Sequence, residues 1–193
     1  MYLFFDTETT GLPRDWSAPV SALSNWPRLV QIAWLLYDER GAGISKKEYI
    51  VRPEGFRIPQ EAAGIHGITT EKASAVGVSL RKVLEEFSAV MEQAGYLVAH
   101  NMRFDERIVG AEFLRQGVAH RLFEAKKICT MTETTEYCKL PGNYGYKWPK
   151  LSELHFKLFN ETFEEAHNAA VDVEVCAKCF WELAKRGILG ATY

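Results

Sequence analysis

The order in which strand-like and helix-like periodicities follow one another constrains this chain more than any other feature. Met1–Asp6 is an apolar run and reads as a buried strand. Arg28–Asp38 and Ile44–Arg52 read as two further strands, and Gly41-Ala42-Gly43 between them marks a hairpin. A strong helical stripe begins only later, with Leu80, Val83, Leu84, Phe87, Val90 and Met91, opened by Ser79 and ended by Gly95. Tyr96–Ala99 is a short strand, after which Asn101 is expected to cap a helix running through Phe104, Ile108, Ala111 and Leu114 to Gly117. Lys127–Cys129 as a strand, Lys150–Asn160 as a helix and a last helix from about Ala169 to Lys185 complete the order. Pro53 to Val78 is expected to hold short helical turns at best, with Thr69 and Thr70 as N-caps. Three sequential strands form an antiparallel meander, and strands that arrive by helical crossovers lie parallel to the first. The expectation is an α/β fold: a mixed sheet with helices on its faces.

A length of 193 residues suits one domain around one substantial core. Lys and Arg number 23 against 25 Asp and Glu, a net charge of -2, which argues against a strongly basic, non-specific nucleic-acid binder. A protein that brings cations to a local acidic site is compatible with that charge. The longest apolar stretch, Leu29 to Tyr37, is interrupted by Gln31 and falls far short of the roughly 20 residues of a membrane span. No signal peptide fits ahead of the first strand, and four cysteines make no disulfide framework. A cytoplasmic location and no membrane partner are expected. Cys176-x-x-Cys179 lacks a second pair for zinc and lies on a helix face that looks buried, so both are expected to be inert core thiols. No Gly-x-Gly-x-x-Gly follows the first strand and no Gly-Lys-Ser/Thr occurs, which sets aside dinucleotide and P-loop chemistry.

The chemistry lies in three acidic segments. Asp6 and Glu8 are two apart at the end of the first strand, so both carboxylates share a face. Like charges there repel unless a cation sits between them, and hard oxygen ligands suit Mg²⁺ or Mn²⁺. Asp105, in His100-Asn101-Met102-Arg103-Phe104-Asp105, is one turn into a helix, where the dipole alone would favour a carboxylate. Asp172, in His167-Asn168-Ala169-Ala170-Val171-Asp172, stands above Cys176, Cys179 and Leu183 on one helix face. That face is apolar and should point at the core, where an unpaired carboxylate is costly. Asn168 as N-cap leaves His167 outside the helix and free to move.

These segments resemble the three motifs of the DEDDh 3′–5′ exonucleases, which include the epsilon proofreading subunit of bacterial DNA polymerase III and ribonuclease T. Phe5-Asp6-Thr7-Glu8-Thr9-Thr10-Gly11 matches the first motif, His100-Asn101-x-x-Phe104-Asp105 the second and His167-x-Ala169-x-x-Asp172 the third. Ile65-His66-Gly67-Ile68-Thr69 resembles a stretch often found between the first two. The resemblance runs in order over nearly the whole chain. It implies a ribonuclease-H-like, five-stranded mixed sheet flanked by helices, a single exonuclease domain over residues 1–193, and a nucleic-acid partner with a free 3′ end.

By the same resemblance Asp6 bridges two divalent cations, Glu8 and Asp172 complete the first site, Asp105 supports the second through water, and His167 is the general base. Substrate contacts are implied at Thr7, Thr9, Leu12, His66, His100, Asn101 and Phe104; for Leu12 the alternative is loop packing, for His66 a core or turn role. The implied activity is metal-dependent 3′–5′ hydrolysis of single-stranded DNA to nucleoside monophosphates. A non-catalytic nucleic-acid-binding or polymerase-accessory module and an RNA-trimming exoribonuclease are the alternatives. Lys139–Lys150 carries three lysines and three aromatics, which suits a single strand, although aromatics packed on the core are the plainer expectation. Two departures from the proofreading subunits stand out. The Pro13–Pro27 loop, with Trp16 and Trp26, is longer than usual and is expected to shape substrate access or bind a partner. No counterpart of the polymerase-binding tail follows the final helix, so a free-standing enzyme is expected.

Overall fold

The computed structural model describes residues 1–163 and 167–189. In chain order the elements are β1 (Tyr2–Thr9), β2 (Leu29–Tyr37), β3 (Gly43–Ile50), α1 (Gln60–His66), α2 (Thr70–Val76), α3 (Leu80–Met91), β4 (Tyr96–Ala99), α4 (Met102–Gln116) and β5 (Lys126–Cys129). Two short turns, α5 (Thr130–Glu133) and α6 (Thr135–Cys138), precede a small hairpin of β6 (Pro141–Gly142) and β7 (Gly145–Tyr146), followed by α7 (Leu151–Phe159) and α8 (Ala169–Lys185).

The first five strands form one sheet in the order β3-β2-β1-β4-β5. β2 is antiparallel to β1 and β3 to β2, whereas β4 is parallel to β1 and β5 to β4. The meander and the two parallel strands are those expected from the periodicities. β1 is central, and its alternation decides what each face receives. Leu3 and Phe5 face α3 and α4, with Phe5 and Phe87 rings 5.3 Å apart. Tyr2 and Phe4 face α8, with Phe4 and Phe180 rings 5.2 Å apart. Continued two residues further, the same alternation puts Asp6 and Glu8 on the α8 side and Thr7 and Thr9 on the α4 side. A register shift against β2 between Glu8 and Thr9 ends the regular pairing where the acids emerge.

Three local expectations are corrected. Residues 53–78 contain two seven-residue helices, not isolated turns. Each buries a single alanine, Ala62 or Ala73, in a satellite cluster with Val30, Ile58 and Ile68, so no stripe announced them. Thr69 does cap α2, accepting from Lys72 N–H at 3.2 Å. Asn101 precedes α4 but makes no side-chain cap; its φ of 78° puts it in the left-handed region that asparagine tolerates. Segment 139–150 turns back as the β6–β7 hairpin, and its rings do not pack on the core: Tyr144, Tyr146 and Trp148 are exposed.

Candidate active site

The site lies at the C-terminal ends of the parallel strands, where open α/β sheets commonly bind ligands. Asp6 and Glu8 leave β1 toward the start of α8. That helix start is fixed by Gln31, which is paired with Glu8 in the β1–β2 register. Gln31 is 2% exposed, accepts from Ala169 N–H at 3.1 Å and donates to Glu48 at 2.7 Å. Asn168 caps α8 by accepting from Ala170 N–H at 3.0 Å, as expected. Sequence reasoning missed Gln31; a polar residue interrupting the apolar β2 run was the available signal.

The chain enters α8 through His167, whose φ of 73° turns its backbone N–H onto Asp172 Oδ2 at 2.9 Å. Potential ligand atoms of Glu8, His167 and Asp172 all lie within 4.8 Å of one another. Residues 8 and 172, far apart in sequence, therefore meet. Asp172 is half-buried, neither fully inward nor solvated. Asp6 and Asp105 stand outside this trio but within electrostatic reach of it. Asp105 is 2% exposed and accepts from Thr7 Oγ1 at 2.7 Å.

Burial is the largest influence on all four carboxyls, and it raises each pKa. Asp6 is pushed well above the ordinary carboxylate range, with further contributions from Asp105, Asp172 and Glu8. Burial, then Asp172 and Asp105, push Glu8 up to about 8. Burial pushes Asp105 up to about 7 against the opposing Thr7 hydrogen bond. Asp172 is raised by burial and drawn back by the His167 N–H. Four hard oxygen donors that oppose one another when ionised are a donor set suited to divalent cations.

The remaining expected contacts divide. Leu12, 73% exposed, and Phe104 line both the acidic cleft and a neighbouring space of about 460 Å³. His66 lines that space; its Nδ1 accepts from Ile68 N–H at 3.2 Å, and burial lowers its pKa. Asn101 lines the cleft. His100 and Thr7 line the cleft and Thr7 and Thr9 the neighbouring space, each with its side chain also held by hydrogen bonds within the protein. His100 has both nitrogens engaged, Nδ1 2.9 Å from Thr130 Oγ1 and Nε2 3.0 Å from the Pro149 carbonyl. Burial pushes its pKa down to about 4, so it is neutral and ties the start of α7 to the end of β4. The Thr7 hydroxyl is spent on Asp105, and the Thr9 hydroxyl donates to the Gly11 carbonyl at 2.6 Å. Cys176 and Cys179 are buried, and burial raises both thiol pKa values, so neither is poised as a thiolate nucleophile.

The Pro13–Pro27 loop is held by arginines along α4. Arg103 donates to the Trp16 carbonyl at 2.8 Å, Arg107 to Ala18 at 2.6 Å, and Arg115 to Leu23 at 2.5 Å and Trp26 at 2.7 Å. Trp26 is buried beneath the loop and donates to the Pro19 carbonyl at 3.0 Å. At the loop's far end Glu112, fully buried, accepts from Leu29 N–H at 2.9 Å and Arg28 Nε at 2.8 Å, and lies 3.0 Å from Arg115 Nη1. The loop thus forms a fixed wall that presents Trp16 beside Phe104, ring centres 5.8 Å apart. Among the described residues, no helix is long and apolar enough to cross a membrane.

Comparison with known proteins places this geometry. No curated protein sequence matches the chain. E. coli exonuclease I in its zinc-bound complex with single-stranded DNA superposes with a TM-score of 0.75 at 19% identity, over 96% of this chain and 40% of that one. The same enzyme with a dT13 oligonucleotide gives 0.74 at 19% identity, over 95% and 40%. Exonuclease I from Methylocaldum szegediense gives 0.74 at 18% identity, over 96% and 40%. At such identities the likeness concerns the fold, and this chain spans about 40% of those proteins' length. A family model described as exonuclease, of the ribonuclease T type, matches residues 3–180, and the chain accordingly belongs to the DEDDh exonuclease family.

Proposed function

We propose that residues 1–193 act as one metal-dependent 3′–5′ exonuclease domain that hydrolyses terminal phosphodiester bonds of single-stranded DNA to nucleoside monophosphates. The observation that carries this reading is the convergence of Glu8, His167 and Asp172 within 4.8 Å, next to Asp6 and Asp105. The polarity comes from the resemblance to the DEDDh exonucleases, and the DNA substrate from analogy with exonuclease I, whose structures hold DNA oligonucleotides. A cytoplasmic location belongs to the same proposal.

Asp6, Glu8, Asp105 and Asp172 would hold two divalent cations, Mg²⁺ or Mn²⁺, which when bound supply Lewis acidity toward the phosphate and neutralise the carboxylates. Thr7 fixes Asp105, and Gln31 and Asn168 fix the start of the helix that carries Asp172. His167 takes the proton from the attacking water, the general-base role that imidazole side chains most often fill. Leu12, Phe104 and His66 flank the terminal nucleoside in the 460 Å³ space.

A panel of 5′-labelled single-stranded DNA, single-stranded RNA, mismatched duplex and short oligoribonucleotides tests the reading. With Mg²⁺ or Mn²⁺ single-stranded DNA should shorten stepwise from its 3′ end, and chelator should stop it. Binding without shortening would point to a non-catalytic module instead, and preferred trimming of the RNAs to an exoribonuclease. His167→Ala should lower turnover about 10²-fold or more, the usual contribution of a general base, with little change in the Mn²⁺ dependence. A variant of near wild-type rate removes His167 from the mechanism.

A further inference from the structure

Three spaces adjoin at the C-terminal edge of the sheet. The acidic cleft, about 680 Å³, is the middle one. The 460 Å³ space shares Thr7, Glu8, Leu12, Phe104 and His167 with it. A further space of about 760 Å³ shares Trp16, Asn101, Met131 and Trp148 with it. The two outer spaces have no lining residue in common, and each meets the cleft through different residues.

In-line displacement at phosphorus puts the attacking water and the leaving oxygen on opposite sides. His167 borders the smaller outer space and not the larger one. For 3′-terminal cleavage the leaving oxygen belongs to the retained strand, which must therefore continue away from His167, toward the larger space. The walls there suit bases. Trp16 and Trp148 are 40% and 60% exposed, and both line the space together with Met102 and Met131. Both indoles rise from anchored backbone: Arg103 holds the Trp16 carbonyl, and His100 meets the carbonyl of Pro149 next to Trp148.

We propose that the space between Trp16 and Trp148 is a subsite for one unpaired nucleobase upstream of the scissile phosphate, taken by stacking. This rests on the exonuclease reading above. A base within a duplex is already stacked on its neighbours, so the subsite favours single-stranded 3′ ends.

The test measures binding of fluorescent oligothymidylates in Ca²⁺, in a His167→Ala background so that cleavage does not intervene. A single abasic residue is walked from the 3′ end inward. One upstream position should show a penalty of about tenfold, the order expected for a base stacked on aromatic rings. Adding Trp148→Ala, or Trp16→Ala, should bring that penalty close to onefold and leave the penalty at the terminal position intact; Trp148→Phe should keep most of it. The proposal is overturned by the absence of any upstream penalty. It is also overturned if the tryptophan variants weaken every position alike, or if no oligonucleotide binds. Failure of the exonuclease reading shows separately, as an unshortened ladder in Mg²⁺ from the protein with His167 intact, while the position-specific binding pattern persists.

Discussion

Asp6→Asn should lower phosphodiester hydrolysis about 10³-fold or more, and the same substitution should raise the melting temperature of the metal-free protein at pH 8. The rate loss follows if Asp6 is among the carboxylates that would hold the cations. Metal assistance supplies several kcal/mol of transition-state stabilisation, and each 1.36 kcal/mol is about tenfold in rate. The stability gain follows from the electrostatics of the empty cluster. Asp6 contributes to a group of acids that share one partly buried place and oppose one another's ionisation. Removing one charge relieves the rest by about 1 kcal/mol, or about 2–4 °C for a chain of this size.

The pH dependence gives the sign independently. Glu8 is raised from 4.5 to about 8 and Asp105 from 3.8 to about 7. Groups whose folded pKa is raised favour the folded state fully below their unfolded values. That contribution is lost as pH climbs through the folded ones. The metal-free wild type should therefore lose stability between about pH 4 and pH 8, with a shallower fall in Asp6→Asn, and Mg²⁺ should restore the wild type most at the alkaline end. Melting curves in chelator across that range decide it. A variant that melts below the wild type at pH 8, or one that keeps its rate within tenfold, would remove Asp6 from the proposed centre.

Glu112→Ala should destabilise the protein by about 3–5 kcal/mol, on the order of 10 °C in melting temperature. Glu112 is fully buried, and one of its oxygens serves Leu29 N–H, Arg28 and Arg115. Truncation leaves the buried Leu29 N–H without its acceptor and the largely covered Arg115 guanidinium without its counter-charge, and that desolvation sets the size of the loss. Because Arg115 also holds the carbonyls of Leu23 and Trp26, the loss should extend into the Pro13–Pro27 wall. Thermal melts and proteolysis of that loop are the measurements. A shift under 2 °C with an intact loop would show that the ion pairs contribute little here.

The sheet was legible because its signals are periodic. The β1 alternation, the hairpin glycines and the α3 stripe each follow from side-chain spacing. For the acids, spacing showed only that Asp6 and Glu8 share a strand face and that Asp172 stands on an otherwise apolar helix face; their grouping with Asp105 and His167 came from the resemblance to the exonuclease motifs. Contacts that join distant segments were not legible. Nothing local in His100 says that Thr130 and Pro149 will occupy both its nitrogens, and nothing in Thr7 says that its hydroxyl will meet Asp105. The same holds for Arg103, Arg107 and Arg115. Their spacing along α4 is visible in the sequence, yet their acceptors are main-chain carbonyls of an irregular segment, which no side-chain pattern reveals.

That row of guanidinium groups bears on how the molecule meets its ligand. A flap ordered only at capture adds an entropic cost to every encounter. Here the segment carrying Trp16 is fastened to one helix at several carbonyls, so its ordering is completed during folding. Arrival and departure of a strand should then proceed against an already shaped surface, without a gating motion of this segment to limit their speed.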